Sequence, residues 1–198
     1  NSNHRVMIFD VTAITNGEVA INVLGQVDFT TGTDSGCDQN GMNWPSAMAY
    51  DATNDKLYVG TGAYHNRMLV FDGTPAANGE NALNVLGQPN FITCVLGTTQ
   101  LKLNIDGFSI GAAFGVYNTY NTLFVADGKN NRMVAFDVRP AASAAQTVCG
   151  TTSTTGIADG MNASCVVGQT LFTTNTAATT QAGMNGPRGV AVDTTNNK

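Results

Sequence analysis

The chain has 198 residues, 42% of them hydrophobic and only 12% charged. That excludes a disordered chain, which combines low hydrophobicity with high net charge, and it leaves enough material for a real core. A net charge of −5, with nine scattered Lys and Arg, argues against a nucleic-acid partner, because neutralising phosphates needs clustered cations.

In chain order, the first β-forming run is NHRVMIFD at 3–10, and it returns as HNRMLVFD at 65–72 and NNRMVAFD at 130–137. Arg5, Arg67 and Arg132 correspond, as do Phe9, Phe71 and Phe136, and Asp10, Asp72 and Asp137. A second motif follows each run: VLGQVDF at 23–29, VLGQPNF at 85–91 and VVGQTLF at 166–172. A third precedes the runs as GMNWPSAMAYD at 41–51 and GMNGPRGVAVD at 183–193, with a degenerate copy, IDGFSIGAAFGVYN, at 105–118. KLYVG at 56–60 and TLFVA at 122–126 complete the unit.

Each unit reads as four short strands. SAMAYD, KLYVG and RMLVFD are rich in β-formers and separated by Asn, Asp, Gly and Thr, as hairpin-linked strands are. The near-continuous apolar text of LYVG and MLVF suits strands covered on both faces. DATNDK at 51–56 and DTTNNK at 193–198 have turn composition, since Asp and Asn bond their own backbone. VLGQ supplies the fourth, outer strand. The prediction is an all-β chain of antiparallel four-stranded units with about eleven strands, the composition of propeller blades.

The order G-x-x-x-P-x-G-V-A-V-D, L-Y-V-A-D, N-N-R-V-x-x-F is similar to the NHL repeat, and GMNGPRGVAVD with TLFVADGKNNRMVAFD carries the likeness best. The resemblance covers essentially the whole chain and implies a β-propeller. It divides the chain into a partial blade at 1–40, full blades at 41–104 and 105–182, and a partial blade at 183–198. Propellers of this type close with about six blades, so the resemblance implies about three blades here and a segment of a longer ring; edge pairing between copies is the alternative.

The four cysteines, Cys37, Cys94, Cys149 and Cys165, form no C-x-x-C pair, and the chain has two histidines. A zinc site is therefore not expected. An even count in a Thr-, Asn- and Gly-rich chain points to disulfides and export. Cys149–Cys165 closing a short insertion and Cys37–Cys94 joining equivalent inter-blade segments are the favoured pairs, against other pairings or free thiols. No apolar run approaches the roughly 20 residues of a membrane span. The start at Asn1, without Met, reads as a processed or trimmed N-terminus.

Candidate ligand contacts are Trp44, where the last copy has Gly186; Tyr64 and His65, in the turn where NHL-type propellers tend to present ligands; and Arg67 and Arg132, which with Arg5 would form a cation ring for an anionic ligand. Each has a structural counterpart: packing for Trp44, and for the arginines carbonyls or Asp of a neighbouring blade. Asp51–Asp55 reads as a turn rather than a calcium loop. Asn162-Ala163-Ser164 is a glycosylation sequon. The long segments 27–44, 89–107 and 138–165, including a flexible-looking TTSTTG at 151–156, are the expected contact surface.

Family members with lyase activity on peptide α-hydroxyglycine need metal-binding histidines, and no matching set exists here: His4 and His65 differ in register. No G-x-S-x-G elbow is present either. The reading leans against an enzyme, implies no cofactor, and favours a secreted or cell-surface binding or scaffolding module. Its partner is a protein or glycan, with no membrane insertion and with self-assembly or further blades as additional contacts. A propeller-type lyase or lactonase with its site elsewhere, or a fibre assembled through blade edges, are the alternatives.

Overall fold

The computed structural model describes residues 3–62, 64–105, 110–117, 120–140, 144–193 and 195–196, with the backbone alone at 110–117, 120 and 146. The strands are β1 (Val6–Phe9), β2 (Ala20–Leu24), β3 (Pro45–Asp51), β4 (Lys56–Thr61), β5 (Arg67–Asp72), β6 (Asn84–Leu86), β7 (Ile110–Tyr117), β8 (Tyr120–Asp127), β9 (Arg132–Asp137), β10 (Gln146–Val148), β11 (Thr151–Ser153) and β12 (Cys165–Val167). All pairings are antiparallel. Two four-stranded sheets, β3-β4-β5-β6 and β7-β8-β9-β12, follow a two-stranded β1-β2 pair, and β10-β11 is a separate hairpin. Among the described residues the sheets close into no barrel or ring.

Local chemistry sets the hairpins. After β3, the Asp51 carboxylate accepts from the N–H of Thr53 at 2.9 Å and of Asn54 at 3.1 Å, and from Asn54 Nδ2 at 2.7 Å. This bonding folds 51–54 into a turn, so Asp51–Asp55 is hairpin chemistry. The same three bonds form around Asp193, from Thr195, Asn196 and Asn196 Nδ2. The fourth strand of each unit ends at a glycine with left-handed backbone, Gly25 (φ 85°), Gly87 (φ 84°) and Gly168 (φ 87°), which turns the following Gln out of the ladder.

The core lies between the sheets. Tyr58, Met68 and Val70 on one face of the first full sheet pack with Leu123, Val125, Val134 and Phe136 of the second and with Leu103 and Ile105 of the segment between them. Val59, Leu69 and Phe71 on the opposite face pack with Val6, Leu24 and Met42. Every residue from Arg67 to Phe71 is buried, as the continuous apolar text of the third strand predicts. Covering both faces withdraws whole side chains from water at about 25 cal/mol per Å², the main stabilising force here.

Three expectations are corrected. The segment 189–193, expected as a first strand, carries no strand: the strand that pairs with β3 begins at Lys56, whose equivalent is Lys198, outside the described residues. TTSTTG is no flexible loop at its start, because Thr151–Ser153 is β11, paired with Gln146–Val148. That hairpin brings the described strands to twelve, against about eleven expected. Residues 106–109 and 118 of the degenerate copy lie outside the described residues.

Candidate functional site

The recurring residues build one clamp three times. Arg5 Nη1 donates to Phe29 O at 2.5 Å and Thr31 O at 3.2 Å. Arg67 Nη1 donates to Phe91 O, while its Nη2 donates to Asp38 O and Gly41 O, both at 2.8 Å. Arg132 Nη1 donates to Phe172 O, and its Nη2 to Thr99 O and Lys102 O, both at 2.9 Å. Each full-unit arginine thus ties the segment entering its unit to the segment leaving it. A planar fork of donors suits several carbonyls at once, and each charge-assisted bond contributes about 1.5–3 kcal/mol.

The recurring Gln closes the same clamp. Gln26 Nε2 donates to His4 O (3.1 Å) and Thr33 O (2.7 Å), Gln88 to Asn66 O (2.9 Å) and Val95 O (3.0 Å), and Gln169 to Asn131 O (2.9 Å) and Thr176 O (2.8 Å). His4, Asn66 and Asn131 all adopt left-handed backbone, at φ 47°, 48° and 50°. Their side chains accept from the N–H of Trp44 (3.3 Å), Ile105 (3.0 Å) and Gly186 (2.9 Å). His4 therefore fills an Asn position.

A further set of inter-unit bonds went unread in the sequence. Asn78 Oδ1 accepts from Val23 N–H (3.1 Å) while Gly79 N–H donates to Val23 O (2.8 Å). One unit later Asp159 and Gly160 repeat this on Val85, at 3.0 and 3.2 Å. Gln39 exchanges two bonds with Ala82, and Gln100 two with Ala163. The signal was present as N-G-x-N-A-x-x-V-L-G-Q at 78–88 and D-G-M-N-A-x-x-V-V-G-Q at 159–169. Asn-Gly and Asp-Gly look like hairpin turns, which masked their role in joining units.

Disulfides join Cys37 to Cys94 and Cys149 to Cys165, the favoured pairs, with Cα–Cα distances of 6.2 and 5.6 Å. The first lies beside Arg67, whose Nη1 is 3.7 Å from Cys37 Sγ.

Of the candidate ligand contacts, Arg67 and Arg132 are fully buried and engaged by carbonyls. Trp44 is half-buried at φ 49°. Tyr64 is 84% exposed at φ 96°, a strained backbone for an aromatic residue. Its neighbour His65 is buried, with Nε2 3.3 Å from Asp34 Oδ1. Burial, reinforced by the Arg67 charge, pushes the His65 imidazole down to about 4. Burial likewise lowers Arg67 to about 10 and raises the Asp127 carboxyl, the latter against the pull of Arg132. Tyr64 and His65 lie in the turn that leads into Arg67, the first residue of β5; Arg132 belongs to the next unit.

The unit that departs most from the repeat is the second. Between β9 and β12 it carries the β10-β11 hairpin, whose turn is tied to β12 by Cys149–Cys165. Beside it opens a cleft of about 450 Å³ lined by Gln100, Thr152, Ser153, Thr155, Asn162 and Ser164 among others, and no lining side chain is charged. Such a volume holds a small ligand, and hydroxyl and amide groups offer both donors and acceptors. Asn162, of the sequon, is exposed on the cleft. Among the described residues no group of three His, Cys, Asp or Glu is placed to hold a metal, and no helix is long and apolar enough to cross a membrane. No protein-family model and no curated protein matches the chain.

Proposed function

We propose that the chain is part of an NHL-type propeller that works outside the cytoplasm as a binding module, with its ligand taken at the cleft beside the inserted hairpin. The observation that carries this reading is the contrast between the two kinds of residue. The repeated arginines and glutamines are consumed in clamps, while the inserted hairpin, set against the inter-unit joint of Gln100 and Ala163, opens an uncharged, hydroxyl-lined cleft held by a disulfide. Two disulfides are consistent with an oxidising, extracellular setting. The repeated clamps and sheets covered on both faces support a propeller, because radial repetition is what protects sheet faces and edges in such folds.

An uncharged lining rich in Thr, Ser, Asn and Gln favours a neutral glycan over an acidic one, since nothing in the cleft neutralises an anion. Saturation-transfer NMR against neutral and uronic-acid-containing oligosaccharides tests the reading. Saturation of the neutral set alone supports it. Equal signals from both sets, or none at millimolar concentration, overturn it.

A further inference from the structure

The two full sheets place different residues opposite the clamp arginine. In the second, Asp127 pairs across the ladder with Arg132; in the first, Thr61 pairs with Arg67 in the same register. The Asp127 carboxylate accepts from Arg132 Nε at 2.7 Å, Asn130 Nδ2 at 2.8 Å and Asn104 N–H at 2.9 Å. Thr61 is too short to repeat this, and its hydroxyl turns to Arg67 O at 3.5 Å. Arg67 Nε is left fully buried with no hydrogen-bond partner among the described residues. Both guanidiniums hold equivalent carbonyls through Nη1 and Nη2, so Arg67 Nε is aimed at the place where Arg132 Nε meets its carboxylate.

His65 Nδ1, on a residue 3% exposed, likewise has no hydrogen-bond partner among the described residues. His65 and Asn43 both touch Asp34, at 3.3 and 2.7 Å. Burying an unsatisfied guanidinium N–H destabilises the fold, a cost that an acceptor of the right size would remove.

We propose that the first full unit binds a small carboxylate ion, of formate or acetate size, between Thr61, His65 and Arg67, where the second unit places the carboxylate of Asp127. One oxygen accepts from Arg67 Nε–H, and Asn43 holds the chain position of Asn104, whose N–H donates to Asp127 in the second unit. Asp34 and Asp38 are the acidic groups around the site. Asp34 engages the far nitrogen of His65 and is half open to solvent, which weakens its repulsion of the bound ion.

The test is a titration of wild-type protein with sodium formate, followed through the His65 ring proton signals by NMR, with sodium chloride and formamide as controls. A saturable shift with formate alone, and a melting temperature raised by about 4 °C at ten times the dissociation constant, are expected. Thr61→Asp supplies the carboxylate from the chain itself, so it raises the melting temperature and abolishes the formate response. Shifts that never saturate, or that chloride or formamide reproduces, mean that only water or a non-specific ion meets Arg67, and the proposal fails. The wild-type titration decides the matter even if Thr61→Asp does not fold.

Discussion

Asn175 Nδ2 donates to Thr98 Oγ1 at 3.4 Å, and in the preceding unit the same two places in the fold are joined covalently, as Cys37–Cys94. The carbonyls repeat as well: Asn66 Nδ2 donates to Cys94 O and Asn131 Nδ2 to Asn175 O. The disulfide is therefore a reinforced version of a contact that the repeat already makes, laid across the entering and leaving segments that Arg67 ties.

Chain entropy ranks the two disulfides. Cys37–Cys94 spans 57 residues and Cys149–Cys165 spans 16. Removing the first costs about 4 kcal/mol and the second about 3 kcal/mol in the loop-closure account. Urea denaturation of Cys37→Thr/Cys94→Asn and of Cys149→Ser/Cys165→Ser should preserve that order. The Thr/Asn pair copies the second unit, so this variant should still fold.

Arg132 is the most consequential clamp to break. It is paired to the buried Asp127, and burial already presses that carboxyl toward its neutral form. Arg132→Met leaves the carboxylate buried without its cation, a loss of about 3–5 kcal/mol. Arg132→Lys keeps the charge but not the fork that reaches Phe172 O, Thr99 O and Lys102 O, and should lose about half as much, roughly 2 kcal/mol. Equal stability of the Arg132→Lys variant and wild type by chemical denaturation would show that charge alone suffices.

The glycine ending each fourth strand has two reasons to be glycine. A Cβ at Gly87 would lie 2.5 Å from Leu103 Cδ1, on a backbone at φ 84°. At Gly168 it would lie 2.6 Å from Met184 Cγ. Gly87→Ala should cost about 2–4 kcal/mol, from overpacking plus left-handed strain. Calorimetry should show a melting temperature lower by several degrees.

His65 gives the fold an acid sensitivity. Its folded-state pKa lies below the unfolded value, so the unfolded chain takes up the proton first as pH falls. Stability is intact above about 6.5, declines as the pH drops from there to about 4, and the full loss is about 3 kcal/mol. Arg67, Asp34, Asp38 and His4 are the charged or titratable groups that face the ring. His65→Asn, borrowing the Asn found in the equivalent turn, should flatten melting temperature against pH between 7 and 4.

Much of this framework was legible because it repeats. Arg5, Arg67 and Arg132 announced a shared role, and strands β3 to β6 follow from alternating β-formers and turns. The inserted hairpin was not legible: QTV and TTS look like the Thr-rich loops around them, and so short a ladder is held by distant partners, Cys165 bonded to Cys149 at its turn and Arg139 Nη2 donating to Ser153 O. The Thr61/Asp127 difference was equally hidden, because its meaning depends on cross-strand register, which a single residue type does not reveal. Segment 189–193 shows the converse, a strand-like sequence without a ladder to join.

On the proposed reading, the clamp residues are framework and the cleft beside the inserted hairpin takes the ligand. Residue-resolved NMR of the labelled chain, titrated with a neutral oligosaccharide, tests this most directly. Saturable shifts should cluster at Gln100 and at 151–164, and leave the amides of β4 and β5 unmoved. Shifts centred on Tyr64 and Trp44, with none at the cleft, would contradict it.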